Sequence, residues 1–267
     1  LKDVTLAAVA DPDPTARARA VSIVRAPVHD RPSDLLLDDL DAVVICAPNR
    51  FHAELTVAAA RAGKHVYVEK PISHNIREGR LLVDAAKRNR VNVQHGTQSR
   101  STDMMIAAVK LLREGTIGDV MVAKCWNVQR RGSLGRGQDS DPPPGFDYDN
   151  WVGPATMIPY RTNRVHNRWT MWYHFGTGDM GNDGVHELDI ARWGLGVDTH
   201  PSTVAAVGGK YVFDDDQQFP DTQYVLFEYP GDGKPGHRRQ LVFEMRIWSP
   251  YQPEGFENGN IFYGTEG

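Results

Sequence analysis

The chain has 267 residues, of which 40% are hydrophobic and 24% charged, with a formal net charge of −4. That length suits two domains with their own cores, and an acidic balance argues against nucleic acid or an anionic membrane surface as the partner, leaving a small molecule as the expected ligand. No apolar run approaches the ~20 residues that span a bilayer, and no signal-peptide pattern opens the chain. Leu1 stands where a Met is expected and Gly267 directly follows a strand-like segment, so both ends are expected to be cut. That leaves the compartment open between cytoplasm and export to the periplasm. Cys46 and Cys125 sit in separate apolar runs and make a disulfide framework unlikely.

Residues 4–10 form a short apolar run ending at Asp11, with Pro12 and Pro14 closing it: a buried strand tipped by an acid. A helix follows from Pro14 to about Arg25. Residues 41–47 are apolar on both faces, as parallel strands are, and stop at Pro48. An alanine-rich helix spans His52–Ala62, with Gly63 at the position of a left-handed cap. The run Val66-Tyr67-Val68-Glu69-Lys70-Pro71 then delivers a carboxylate and an amine to a strand end, because proline cannot donate to a ladder. Lys70 belongs at the carboxyl edge of a sheet, where open α/β sheets bind ligands; a surface Glu-Lys pair at a turn is the competing reading. Asn75 with Glu78 predicts a capping box opening a helix to about Arg88, and residues 91–97 read as one more strand.

This alternation predicts a right-handed parallel sheet, making residues 1–97 most of a Rossmann-type domain. In that frame Asp11 suits the ribose hydroxyls of NAD and disfavours the 2′-phosphate of NADP; a helix cap or turn aspartate is the alternative. A dinucleotide site also needs a glycine-rich turn after its first strand, yet the first glycine is Gly63. Either the fold is another one, or the first strand and its turn lie upstream of Leu1; the position of Asp11, where a second strand would end, favours the latter.

Residues 98–267 read as an α+β domain with an open, mainly antiparallel sheet, cut at its C-terminus. A helix is predicted over 102–114, a strand over 119–129, and a glycine- and proline-rich loop over 131–155. Residues 160–175 interleave cations and aromatics, with Arg164 and Trp172 among them; the segment suits a sugar-facing wall or packing between subunits better than nucleobase stacking. From Gly181 to Leu195 a glycine-led helix is predicted, placing Asn182, His186, Asp189 and Trp193 on or near one face. His186 is a candidate proton acceptor with Asp189 near enough to orient it, against a buried structural histidine. Strands are expected over 203–213, 222–229 and 238–248. Scattered histidines without a His-Glu-x-x-His pattern give no expected metal site, and no Gly-x-Ser-x-Gly elbow is present.

Ala10-Asp11, Ala47 to His52, Ala62-Gly63-Lys64 through Glu69-Lys70-Pro71, Gly96-Thr97-Gln98, Trp151 to Pro154 and Gly178 to His186 together resemble the Gfo/Idh/MocA oxidoreductases (glucose-fructose oxidoreductase and inositol dehydrogenase) over nearly the whole chain. The resemblance implies a nicotinamide-dependent oxidoreductase acting on a sugar, cyclitol or related polyol, and a homo-oligomer built through the C-terminal sheet. It implies cofactor contacts from Asp11, Ala47, Pro48, Asn49, His52, Glu69, Lys70 and Gln98. Lys70 maps to the lysine beside the nicotinamide and the reacting carbinol, and His186 to the proton relay. Asn182, Arg164 and Trp172 are the expected substrate contacts. Dehydrogenases of the family commonly carry Asp four residues before the histidine, where this chain has Asn182, so Asp183 becomes the candidate acid. Two further readings stay open: a redox-neutral NAD-dependent glycosidase, and a non-catalytic sugar-binding relative.

Overall fold

The computed structural model describes residues 3–166, 168–232 and 234–267. They form two compact units, one up to Gly96 and one from Thr97 onward.

The first unit runs β1 (Val9–Ala10), α1 (Pro14–Ile23), β2 (Val28–His29), α2 (Pro32–Leu35), β3 (Ala42–Ile45), α3 (Asn49–Arg61), β4 (His65–Val68), α4 (Ile76–Asn89) and β5 (Val93–His95). All its strand pairs are parallel: β1 with β2, and β3-β4-β5 in that order. Apolar side chains of β3 and β4 point to one face, where Ile45, Val66 and Val68 pack with Ala59 of α3 and with Leu36, Leu55, Ile72 and Val93. The opposite face is open, and Val44 is 67% exposed on it. Cys46, in the apolar run 41–47, is also exposed. Strand β1 is much shorter than the predicted 4–10 because its one ladder, to β2, pairs only Val9 and Ala10. Two-residue β2 and four-residue α2 were not predicted; neither is long enough to show a period.

Local chemistry explains the helix boundaries. Asn75 Oδ1 accepts from Glu78 N at 3.0 Å while Glu78 Oε2 accepts at 2.7 Å from His74 N, one residue before the cap, an arrangement like a capping box. Gly63 takes φ +73° after α3, which a side chain would resist. The helix cap at α1 is Asp13, whose Oδ1 accepts from Thr15 N at 2.7 Å.

The second unit contains α5 (Asp103–Arg113), β6 (Val120–Asn127), α6 (Tyr148–Val152), α7 (Gly178–Asn182), α8 (Gly184–Leu195), β7 (Thr203–Gly209), β8 (Thr222–Tyr229), β9 (Arg239–Arg246) and β10 (Asn258–Gly264). Its sheet has the order β10-β6-β9-β8-β7, with β6 and β9 parallel and every other pair antiparallel. Alternation places Ala123, Cys125, Val225, Leu241, Phe243 and Met245 in the core with Ala191 and Leu195 of α8. The other face is open. Tyr224, Val207 and Tyr263 are exposed there, and Glu244 bridges Lys124 at 3.1 Å and Arg246 at 2.7 Å.

Outside the strands, this unit is held by carboxylates that accept from backbone. Fully buried Asp221 takes the N–H groups of Tyr211, Val212 and Phe213 at 2.8–3.2 Å and the hydroxyl of Thr222 at 2.8 Å. Burial alone would raise its pKa, but these donors outweigh it and hold the carboxyl below its ordinary range; the same balance depresses Asp215 and Asp216. Since the folded values are lowered, the stability they contribute is present above the unfolded carboxylate pKa of about 3.9 and is lost as pH falls through the folded values. All six tryptophans lie after Gly96, so their fluorescence reports this unit. Denaturant titrations followed by that signal should show Asp221→Asn destabilising by about 2 kcal/mol at neutral pH, with a shallower loss on acidification. An acid limb identical to the parent's would contradict this account of Asp221.

Candidate functional site

In the first unit, parallel register brings the strand ends together. Ile45 is opposite Val68 and Val68 opposite His95, so Cys46-Ala47, Glu69-Lys70 and Gly96 leave the sheet side by side. Glu69 N donates to Ile45 O at 3.0 Å, and Gly96 N to Val68 O at 2.8 Å, carrying the ladder to its last residues. Lys70 is half-buried there and joined to Pro71 by a cis peptide. Its backbone N–H points to Glu69 Oε2 at 3.3 Å. Glu69 in turn lies over Gly96. A Cβ at that glycine would sit 3.2 Å from both Glu69 Oε2 and Glu69 Cα, and 3.1 Å from Tyr67 Oη, so a larger residue there would have to push these neighbours back by a few tenths of an ångström.

Behind this edge sits His52, 1% exposed. Its Nδ1 lies 2.7 Å from Pro71 O and its Nε2 2.6 Å from Ala47 O. His52 thus clasps the loop after β3 to the corner after Lys70. That corrects its expected role as a direct cofactor contact, since both ring nitrogens are spent on backbone. Asn49 opens α3 and is 5% exposed, and among the described residues its Nδ2 has no hydrogen-bond partner. A buried donor without an acceptor is costly, about 1–3 kcal/mol, and a ligand oxygen would relieve it. Asp11 directly follows β1; one carboxylate oxygen accepts from Asp13 N at 2.8 Å, and the other has no hydrogen-bond partner among the described residues.

In the second unit the predicted single helix over 181–195 is two, α7 and α8, separated at Asp183 (φ −110°, ψ −43°). Asn182 ends α7 and His186 lies in the first turn of α8, its N–H donating to Asp183 O at 3.0 Å. Beneath them is Asp179, 1% exposed. It accepts from Asn127 Nδ2 at 2.9 Å, from Arg131 at 3.4 Å and from the Asn182 side chain. Burial raises its pKa against the lowering effect of these donors. Arg131 also forms an ion pair with Asp183. That pair gives Asp183 an anchoring contact at the junction of α7 and α8.

Three expectations for this region need correction. Asp189 does not orient His186: both its oxygens are held by Arg100, at 2.6 and 2.8 Å. Arg164 is 3% exposed and donates to Tyr148 Oη at 3.0 Å and Pro159 O at 2.8 Å, with its guanidinium 5.3 Å from the Trp172 ring centroid. Trp172 is itself 3% exposed within the core. Both side chains are thus core packing in this unit and not a wall facing a sugar. Gln98 is exposed at the start of a short 3₁₀ turn.

Sequence reading missed Asn127, Arg131 and Asp179. Asp179 had a signal, since it stands one helical turn before Asn182 on the same face; the other two come from a strand end and a loop, which no local spacing connects to α7. Among the described residues, no group of three or more His, Cys, Asp or Glu is placed to hold a metal, and no helix is long and apolar enough to cross a membrane.

Comparison with known proteins agrees with both units. Residues 1–97 match the model of an oxidoreductase family with an NAD-binding Rossmann fold, and residues 120–225 that of the same family's C-terminal alpha/beta domain. The chain is 27% identical over 159 residues to levoglucosan dehydrogenase of Pseudarthrobacter phenanthrenivorans, covering 59% of this chain and 34% of that protein. It is 32% identical over 118 residues to inositol 2-dehydrogenase of Rhizobium meliloti, covering 44% and 36%. It thus spans well under half of these relatives. The WlbA dehydrogenase of Bordetella pertussis, solved in complex with NADH and UDP-GlcNAcA, shares the fold with a TM-score of 0.72 at 19% identity, over 97% of this chain and 67% of that one. The chain belongs to the Gfo/Idh/MocA oxidoreductase family.

Proposed function

We propose that this protein is an NAD-dependent oxidoreductase that removes hydride from a hydroxyl-bearing carbon of a sugar, cyclitol or related polyol. The observation that carries the reading is Lys70 at the carboxyl edge of a parallel sheet, beside a Glu69 seated over side-chain-free Gly96. A dinucleotide fits the first unit. The unsatisfied Nδ2 of Asn49 offers a donor to it, the second oxygen of Asp11 suits a ribose hydroxyl and opposes a 2′-phosphate, and Ala47, Pro48, Glu69 and Gln98 complete the set expected to hold it. When bound, it supplies the hydride acceptor.

The chain's own residues handle the proton. With a nicotinamide bound at this edge, Lys70 would hold the reacting hydroxyl by hydrogen bonding. In the second unit, His186 is the candidate proton acceptor, an imidazole being the side chain suited to that role near neutral pH. Asn182, its amide tied to Asp179, orients a substrate hydroxyl but cannot take its proton. Levoglucosan and inositol dehydrogenases among the relatives support a polyol of this class. The open face carrying Tyr224, Val207 and Tyr263 supports self-association through the five-stranded sheet.

Mixing the protein with NAD and a panel that includes myo-inositol and levoglucosan should yield reduced cofactor in step with oxidised sugar. Cleaved glycoside without reduced cofactor would replace this reading with redox-neutral hydrolysis, and binding without turnover would replace it with a sugar-binding role. Lys70→Met should lower turnover by about 10²–10⁴ while NAD affinity stays within a few-fold; near-normal turnover would remove Lys70 from the chemistry. Asp11→Ala should weaken discrimination against NADP, as measured by competing the two cofactors, and an unchanged preference would count against the ribose assignment.

A further inference from the structure

Arg131 joins Asp179 to Asp183, yet nothing in its own neighbourhood is regular structure. Its backbone N–H donates to Ile247 O at 2.6 Å, and residues 132–137, Gly-Ser-Leu-Gly-Arg-Gly, form no helix or strand. A loop with three glycines and no ladder has large conformational freedom, so whatever holds it also aims Arg131.

Two carboxylates do the holding. Asp215 Oδ2 accepts from Leu134 N at 2.7 Å and from Ser133 Oγ at 3.1 Å. Asp216 Oδ2 accepts from Gly137 N at 2.7 Å, and Asp216 N donates to Gly135 O at 3.1 Å. Each is braced in turn. Gln217 N and Lys210 Nζ reach Asp215 Oδ1 at 3.0 and 3.2 Å, while Asn163 Nδ2 and Arg161 Nη1 reach Asp216 at 2.9 and 3.2 Å. The following residues grip the chain that leads into α7. Gln218 N donates to Met171 O at 3.0 Å, Gln218 Oε1 accepts from Tyr173 N at 2.8 Å, and the Phe219 ring fills the space beside Gly178, where a Cβ would lie 2.6 Å from its Cγ. One short segment thereby holds both the loop that begins beside Arg131 and the approach to Asp179.

We infer that Asp215 and Asp216 are positioning residues for this cluster: through the 132–137 loop they hold the Arg131 guanidinium against Asp179 and Asp183. The consequence for catalysis rests on the function proposed above, but the contact itself does not. It places the Arg131 guanidinium against Asp183, which directly precedes the helix bearing His186. Nothing in the linear sequence announces it, because the two carboxylates stand more than eighty positions after Arg131.

Exchange of the Arg131 guanidinium protons, followed by NMR in the folded protein, tests this directly. In the parent they should be protected. In Asp216→Asn and Asp215→Asn exchange should quicken roughly tenfold, the effect of losing one charge-assisted hydrogen bond in a local opening equilibrium. Asp214→Asn should change it far less, because the pair Asp214 makes with Arg136 of the loop is solvent-exposed, Asp214 being 90% exposed, and such pairs contribute little. Should the Asp215 and Asp216 variants fail to fold, Asn163→Ala loosens the same loop more gently and should quicken exchange in the same direction. Folded variants with a lower thermal midpoint but unchanged Arg131 exchange would overturn the inference, leaving both aspartates purely structural. No substrate is needed, so failure here is distinct from failure to oxidise polyols.

Discussion

Parallel strands paired in register must all end on the same side, and the first unit depends on that constraint. Ile45, Val68 and His95 are the last paired residues of three adjacent strands, so whatever follows them is collected at one edge without any further instruction. Proline at 48 and 71 turns the chain away there, and His52 ties the two turns together through Ala47 O and Pro71 O. Lys70 and Glu69 are therefore presented by ladder geometry, and Gly96 leaves room for the carboxylate between them and the neighbouring strand.

The second unit solves a different problem. Its candidate residues leave the sheet on short helices and loops, where no ladder fixes them, and buried carboxylates take over that work. Asp179 gathers Asn127, Arg131 and Asn182; Asp215, Asp216 and Asp221 gather backbone N–H groups from loops that lack partners of their own. A carboxylate accepting several donors is worth more than one neutral hydrogen bond and fixes direction as well. Arg131 connects this scaffolding to Asp183 and so to the start of the helix bearing His186.

How much of this was legible in the sequence follows from the range of each interaction. The strand ending at Glu69-Lys70-Pro71, the Asn75–Glu78 contact and the cap at Gly63 are local, and local rules found them. The helix break at Asp183 was not found, since the residues on both sides keep helical spacing. His52 looked like a ligand residue because its partner Pro71 lies across a strand. Arg164 and Trp172 looked like a substrate wall because cations among aromatics read the same whether they stack in a core or line a cleft; burial decided it. Asp189 was assigned to His186 by proximity in sequence and lost to Arg100, 89 positions away.

Nicotinamide dinucleotide at the carboxyl edge of the parallel sheet is the claim on which the functional account stands. Backbone amide shifts on titration with NADH test it even where binding is weak. The account predicts that the amides of Cys46, Asn49, Glu69, Lys70 and Gly96 move together while those at the opposite strand ends, Asp41, Lys64 and Asn92, stay in place. Shifts confined to the opposite ends, or none at any strand end under saturating cofactor, would contradict it.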